Sequence, residues 1–139
     1  MLDENCIFCR IIKGEIPSLK VYEDDKVLAF LDISPVNKGH ILVIPKNHAS
    51  NYLESDDKDI SACAVAVKKI GKAVVRAVEA DGFNIGVNTK KAAGQIVMHT
   101  HLHIIPRFND DGFRHWPHKQ YEEGEMEKYK EKIIKEIGE

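Results

Sequence analysis

The segment Gly94-Gln95-Ile96-Val97-Met98-His99-Thr100-His101-Leu102-His103-Ile104-Ile105-Pro106-Arg107 constrains this chain more than any other stretch. Three histidines alternate with Thr100, Leu102 and Ile104, and alternation at period two is the mark of a half-buried strand. The pattern predicts a strand over 98–106 with all three imidazoles on one face, roughly 6.5–7 Å apart. Imidazole titrates near neutral pH, and the Gly94-Gln95 turn offers backbone N–H groups to an anion. Such a face suits phosphate chemistry: one ring attacks phosphorus while its neighbours hold oxygens or the leaving group. His-x-His on a strand also presents zinc ligands well, and spacing alone leaves both readings open.

The rest of the chain reads as a single domain, 1–139, of mixed α and β structure. Residues 6–13 suit a short helix ending near Gly14. Val21–Tyr22 and Val27–Asp32 flank the turn Glu23-Asp24-Asp25-Lys26 as a hairpin. His40–Pro45 forms a further strand entered through Asn37-Lys38-Gly39. Ser55 is placed to cap a long helix whose first turn carries Asp56, Asp57 and Asp59. Ile60, Cys63, Val67, Ile70, Val74 and Ala77 give that helix one apolar stripe, and Asp81-Gly82 would stop it. Phe83–Asn88 and Met98–Pro106 add two strands, and Met126, Tyr129, Ile133 and Ile137 mark a C-terminal amphipathic helix within 119–137. Strands, one long helix, then strands again imply an α+β fold with an antiparallel sheet.

Charge and composition narrow the function. A formal net charge of −2 disfavours a duplex nucleic-acid binder, which carries a basic stripe, but leaves a nucleotide pocket open. No apolar run reaches membrane-spanning length and the N-terminus does not read as a signal peptide, so a cytoplasmic chain with no membrane partner is expected. Three cysteines make no disulfide framework. Cys6-x-x-Cys9 suits a metal or a packed pair; redox chemistry fits less well without a βαβ context. Cys63 falls on the helix stripe, and His115 and His118 read as surface.

Gly94-Gln95-x-Val97-x-His99-x-His101-x-His103-Ile104-Ile105 resembles the signature of the histidine-triad (HIT) superfamily of nucleotidyl hydrolases and transferases. Cys6–Ile12, Leu28–Pro35 and Gly39–Lys46 resemble the same family in order and spacing, so the likeness runs from about 5 to 108. It implies a HIT-like fold: a five-stranded antiparallel sheet, one long helix, a short N-terminal helix and a C-terminal helix.

The resemblance also implies roles. His101 would attack the α-phosphate and carry a covalent nucleotidyl intermediate, with His103 on the phosphoryl group and His40 beside the triad. Gln95 and the backbone of Gly94–Val97 would hold non-bridging oxygens. Asp32 would accept the ribose hydroxyls, Ile7, Phe8, Ile11 and Ile33 would wall the purine, and Asn88 would lie near the leaving-group atoms. Cys6, Cys9, His48 and His99 would hold a structural zinc, freeing His101 and His103 for phosphate. Where many relatives carry Ser or Thr after Gly-Gln, this chain has Ile96.

Val65, Ala66, Val75 and Val78 lie partly off the stripe of the long helix, where a second copy can approach closely; the same resemblance implies a homodimer, with Trp116 near the partner's site. Without the dimer, Trp116 would plug the core under the last helix. The expected activity is hydrolysis of purine nucleoside phosphoramidates or acyl nucleotides, as in the Hint-like branch. Dinucleoside polyphosphate hydrolysis is the alternative enzyme reading, for which Pro106-Arg107 speaks, and a purine-nucleotide-binding interaction protein with little turnover is a third.

Overall fold

A computed structural model describes residues 1–138, which form one five-stranded antiparallel sheet with helices on both faces. In chain order the elements are α1 (Ile7–Ile12), β1 (Lys20–Glu23), β2 (Val27–Leu31), β3 (Ile41–Pro45), α2 (Asp57–Ala77), β4 (Gly82–Val87), β5 (Leu102–Arg107) and α3 (Glu125–Ile137). Spatial order is β1-β2-β3-β5-β4, every neighbouring pair antiparallel. This is the expected α+β architecture. β5, the histidine-bearing strand, runs between β3 and β4.

The sequences of β2 (VLAFL) and β3 (ILVIP) do not alternate because both of their faces are covered. Val27, Ala29, Ile41 and Val43 face α2 and meet its Cys63, Ala66, Val67, Ile70 and Val74. Leu28, Phe30, Leu42 and Ile44 face the other way, onto Phe8, Cys9 and Ile11 of α1. A strand buried on both faces reads as a continuous apolar run. β5 keeps period two: Leu102, Ile104 and Pro106 are buried, while His103, Ile105 and Arg107 are half-buried on the opposite face. Opposite Leu42 in the ladder stands His103, and opposite Leu42 on its other side stands Phe30, so these three make a row across the α1 face.

α2 lies close to the sheet at Gly71. A Cβ built there would meet Phe83 Cζ at 2.5 Å, so only a glycine lets the β4 ring under the helix. Both ends of α2 differ from expectation. Asp56, not Ser55, occupies the cap position of α2, and Ser55 Oγ instead bonds Asn51 O (3.0 Å) and Thr100 Oγ1 (2.6 Å). The helix ends at Ala77, before Asp81-Gly82, because Glu79 turns into the left-handed region at φ 55. On its stripe Ala77 is exposed, whereas Ala66 joins the core and is therefore not free for a second copy.

The strand expected over 98–106 begins at Leu102. Residues 97–101 are pulled out of the ladder: the Thr100 N–H goes to Ala49 O, and His99 Nε2 meets Pro45 O at 2.8 Å. All three rings still lie on the α1 side of the sheet, as expected, where Phe8 packs edge-on against His99 and His101; His99 meets the Cys6 and Cys9 sulfurs, and His101 and His103 line the cavity beside them. At the C-terminus α3 forms as an amphipathic helix, starting after Gly124 (φ 82) and not near 119. None of its residues is buried, and Trp116 is 85% exposed. Trp116 is thus no core plug, since neither it nor α3 rests on the body of its own chain.

Candidate active site

A cavity of about 480 Å³ opens on the α1 face of the sheet. Its walls include Ile7, Phe8 and Ile11 of α1, the segment Ile16–Leu19, and Phe30, Asp32 and Ile33 at the end of β2. Asn88, Gly94, Ile96, Val97, His101 and His103 close the other end. Phe8 and Ile11 serve both core and wall. Ile33 and Ile96 stand 99% and 89% exposed on the rim, so nothing in the protein's own core explains them.

The polar end is wired through backbone groups, and the wiring assigns each ring its tautomer. His101 Nδ1 lies 2.7 Å from His99 O. A carbonyl only accepts, so Nδ1 carries the proton and Nε2 keeps its lone pair. His40 Nδ1 accepts the Val36 N–H at 3.1 Å, which puts the His40 proton on Nε2. From there it reaches His103 Nδ1 at 2.9 Å. His103 Nδ1 is then an acceptor, its own proton sits on Nε2, and that N–H is buried without a partner. Two neighbouring rings, 5.0 Å apart between centroids, thus differ: His101 offers a lone pair and His103 offers a proton.

Burial lowers the pKa of His101 and of His40, so both are neutral at pH 7. His103 is pushed down to about 4, by burial first and by the neighbouring His101 and His40 next. Asp32 Oδ2 lies 3.7 Å from His40 Nε2, while Asp32 Oδ1 accepts the Ser34 N–H at 2.8 Å. Oδ2 therefore retains acceptor capacity toward the cavity.

Gln95 sits elsewhere than expected. Its side chain is 3% exposed; Nε2 donates to Ser50 O (2.6 Å) and Val97 O (3.0 Å), and Oε1 accepts the Lys90 N–H (2.8 Å). Both amide N–H groups are spent on holding the loop, and the side chain does not line the cavity. Gly94, at φ 92, lets that loop turn beside Asn88. Arg107 is likewise committed, to Asp111 (2.7 and 3.1 Å), Asn84 and Phe113 O, and lies outside the cavity lining.

A second cluster lies under α1. Cys6 Sγ, Cys9 Sγ, His48 Nδ1 and His99 Nδ1 all fall within 4.8 Å of one another. The N···S separations are 3.4, 3.4 and 3.5 Å and the N···N separation is 3.2 Å. A tetrahedral ion with bonds of about 2.3 Å to sulfur and roughly 2.0–2.1 Å to nitrogen sets edges near ~3.5 Å and ~3.3 Å. The donor set fits such an ion. The bond from His99 Nε2–H to Pro45 O leaves Nδ1 as the ligating atom, the outer-shell partner a metal-bound histidine requires.

The segment Ile16–Leu19 was not foreseen as part of the site. It has no periodicity, and only the Pro17 break marks it as a wall between α1 and β1.

Fold and cavity together define an α+β protein with paired histidines of opposite wiring at the mouth of an apolar slot. The HIT domain family model matches residues 13–110, and the chain belongs to the histidine-triad family, with relatives in its Hint-like branch. It is 55% identical over 111 residues to "Protein hit" of Bacillus subtilis, covering 79% of this chain and 77% of that one. To adenosine 5'-monophosphoramidase hnt1 of Schizosaccharomyces pombe it is 44% identical over 107 residues, 77% of each chain. Among solved structures, SMU.412c of Streptococcus mutans superposes with a TM-score of 0.92 at 44% identity, covering 97% of this chain and 87% of that one. A Zn-bound histidine triad family protein of Mycobacterium smegmatis gives 0.76 at 40% identity, covering 82% and 84%.

The wiring makes a spectroscopic prediction. Long-range ¹H–¹⁵N spectra at pH 7 are expected to show His101 protonated at Nδ1 and His40 and His103 at Nε2, with His103 titrating near 4. The unfolded chain takes up this proton near the ordinary 6.5, so between the two values it binds more protons than the folded one. The contribution of His103 to stability is then complete above about 6.5 and lost as pH falls through about 4. A His103 ring titrating at 6.5 or above would refute the arrangement.

Proposed function

We propose that this protein cleaves a purine nucleoside monophosphate from an amine or acyl leaving group through a nucleotidyl intermediate on His101. The opposite wiring of His101 and His103 carries this reading. Nε2 of His101 attacks phosphorus as the bond to the leaving group breaks, and the Nδ1 proton, held by His99 O, stabilises the cationic ring that results. Nε2–H of His103 stands ready for a phosphoryl oxygen or the leaving atom, where charge develops. Water then cleaves the N–P bond and returns His101 neutral. Asp32 takes the ribose hydroxyls, while Ile7, Phe8, Ile11 and Ile33 hold the purine. The phosphoramidase activity named for the Schizosaccharomyces pombe relative supports an amine as leaving group.

His101→Ala is expected to cut kcat/KM on an adenosine phosphoramidate by at least ~10³-fold while nucleotide still binds, and rapid quench of the wild type should trap the nucleotide on His101. Near-normal turnover of the variant, or label on another residue, would remove the mechanism.

We also propose that Cys6, Cys9, His48 and His99 hold a structural zinc, supported by the tetrahedral spacing of their donor atoms. The ion would pin α1 to the sheet, and its binding energy would be folding energy. Protein purified without chelator should carry about one zinc per chain by elemental analysis, and the Cys6→Ser/Cys9→Ser pair should melt lower. Metal-free protein with an unchanged melting temperature in that variant would defeat the assignment.

The working unit we propose is a homodimer. Val65 on α2, Ile85 on the outer strand β4, Trp116 and the apolar stripe of α3 are all exposed in one chain, and β4 presents an unpaired edge, which a second copy can extend. Sedimentation should give a dimer at micromolar concentration; a fully active monomer would exclude it.

A further inference from the structure

Among the described residues, two buried side-chain polar atoms have no hydrogen-bond partner: His103 Nε2 and Ser18 Oγ. Both residues line the same cavity. A buried hydroxyl left unpaired destabilises the fold relative to a paired one, and native proteins keep few such groups. That both fall on one cavity wall points to a ligand that completes both. For His103 the complement is a phosphoryl or leaving-group atom. Ser18 belongs to a different part of the wall, with Ile16, Pro17 and Leu19 beside it and Ile7 and Ile11 of α1 across the slot.

Apolar walls of this kind hold an aromatic ring by its faces but cannot tell one base from another. A hydroxyl among them is different. It both donates and accepts, so it can meet a ring nitrogen or an exocyclic group, and a site built for such a bond rejects analogues that lack it. The carboxylate of Asp32, with its free Oδ2, already serves the sugar, which leaves the base edge as the complement for Ser18. Taking the nucleotide reading of this cavity as given, we propose that Ser18 is a specificity-determining residue whose hydroxyl hydrogen-bonds the edge of the purine.

Calorimetric binding of 5'-monophosphates tests this without requiring turnover. The set would comprise adenosine, guanosine, 7-deazaadenosine, unsubstituted purine riboside, and 2'- and 3'-deoxyadenosine, each measured on wild type and Ser18→Ala. In the wild type, removal of one base-edge atom should weaken binding by about 5- to 10-fold, the net value of one hydrogen bond. In Ser18→Ala the same removal should have no effect, while the other analogues keep their wild-type ratios. Wild type indifferent to every edge change, or equal losses in both proteins, would overturn the proposal. Coupling of Ser18 to a sugar hydroxyl would also overturn it. If no nucleotide bound wild type at all, the nucleotide reading itself would fall; if nucleotides bound but no coupling to the base edge appeared, only the role of Ser18 would.

Discussion

The hydrogen bond from His101 Nδ1–H to the carbonyl of His99, at 2.7 Å, is the constraint on which the rest of the site depends. It exists only because residues 97–101 leave the ladder before β5 begins. A regular strand would have sent that carbonyl to a neighbouring strand, or to solvent, and left the ring free to choose its tautomer. The departure is enforced from outside the segment, by Ala49 O on Thr100 N–H, Ser55 on the Thr100 hydroxyl and Pro45 O on His99. Side-chain chemistry at the cavity is thus set by groups 45 to 55 in sequence, the carbonyls of Pro45 and Ala49 and the hydroxyl of Ser55.

On the α1 side of the sheet the histidines fall into two groups. His99 meets Cys6, Cys9 and His48, while His101 and His103 line the cavity. Phe8 connects the two places, with its ring edge-on to His99 (5.9 Å), His101 (5.2 Å) and Phe30 (5.5 Å) between centroids. A six-residue helix is too short to be stable alone. Its order rests on this aromatic packing and on the sulfur–nitrogen cluster at its first turn. Holding α1 in place therefore also holds the wall of the slot.

Much of this was legible in the sequence because it depends on near neighbours. The α2 stripe and the alternation in β5 are periodic patterns, and periodicity reports burial directly; the apolar runs of β2 and β3 mark strands without showing which faces are covered. That His99 groups with Cys6, Cys9 and His48, apart from its two neighbours, was legible only through the family resemblance, since spacing permits either metal or phosphate. What was not legible depends on partners distant in the chain. Gln95 beside a glycine turn looks like a phosphate ligand until Ser50 O and Lys90 N–H claim its amide. Trp116 looks like core until α3 turns out to lie off the body. Ser18 carries no local signal, and only its isolation inside a finished wall singles it out.

The Gln95 amide has a consequence for how a ligand arrives. Two short bonds tie Lys90 and Val97, at the ends of the 90–97 loop, to the Gln95 amide, and a third joins that amide to Ser50 O; with the glycine at 94 making the turn, the rim stands formed before anything enters. A mouth of that kind has no opening step to wait for, and entry is governed by diffusion and orientation alone. Discrimination between good and poor ligands then resides in how long each one stays. Residence time, more than rate of capture, is the quantity that sequence changes around this rim would alter.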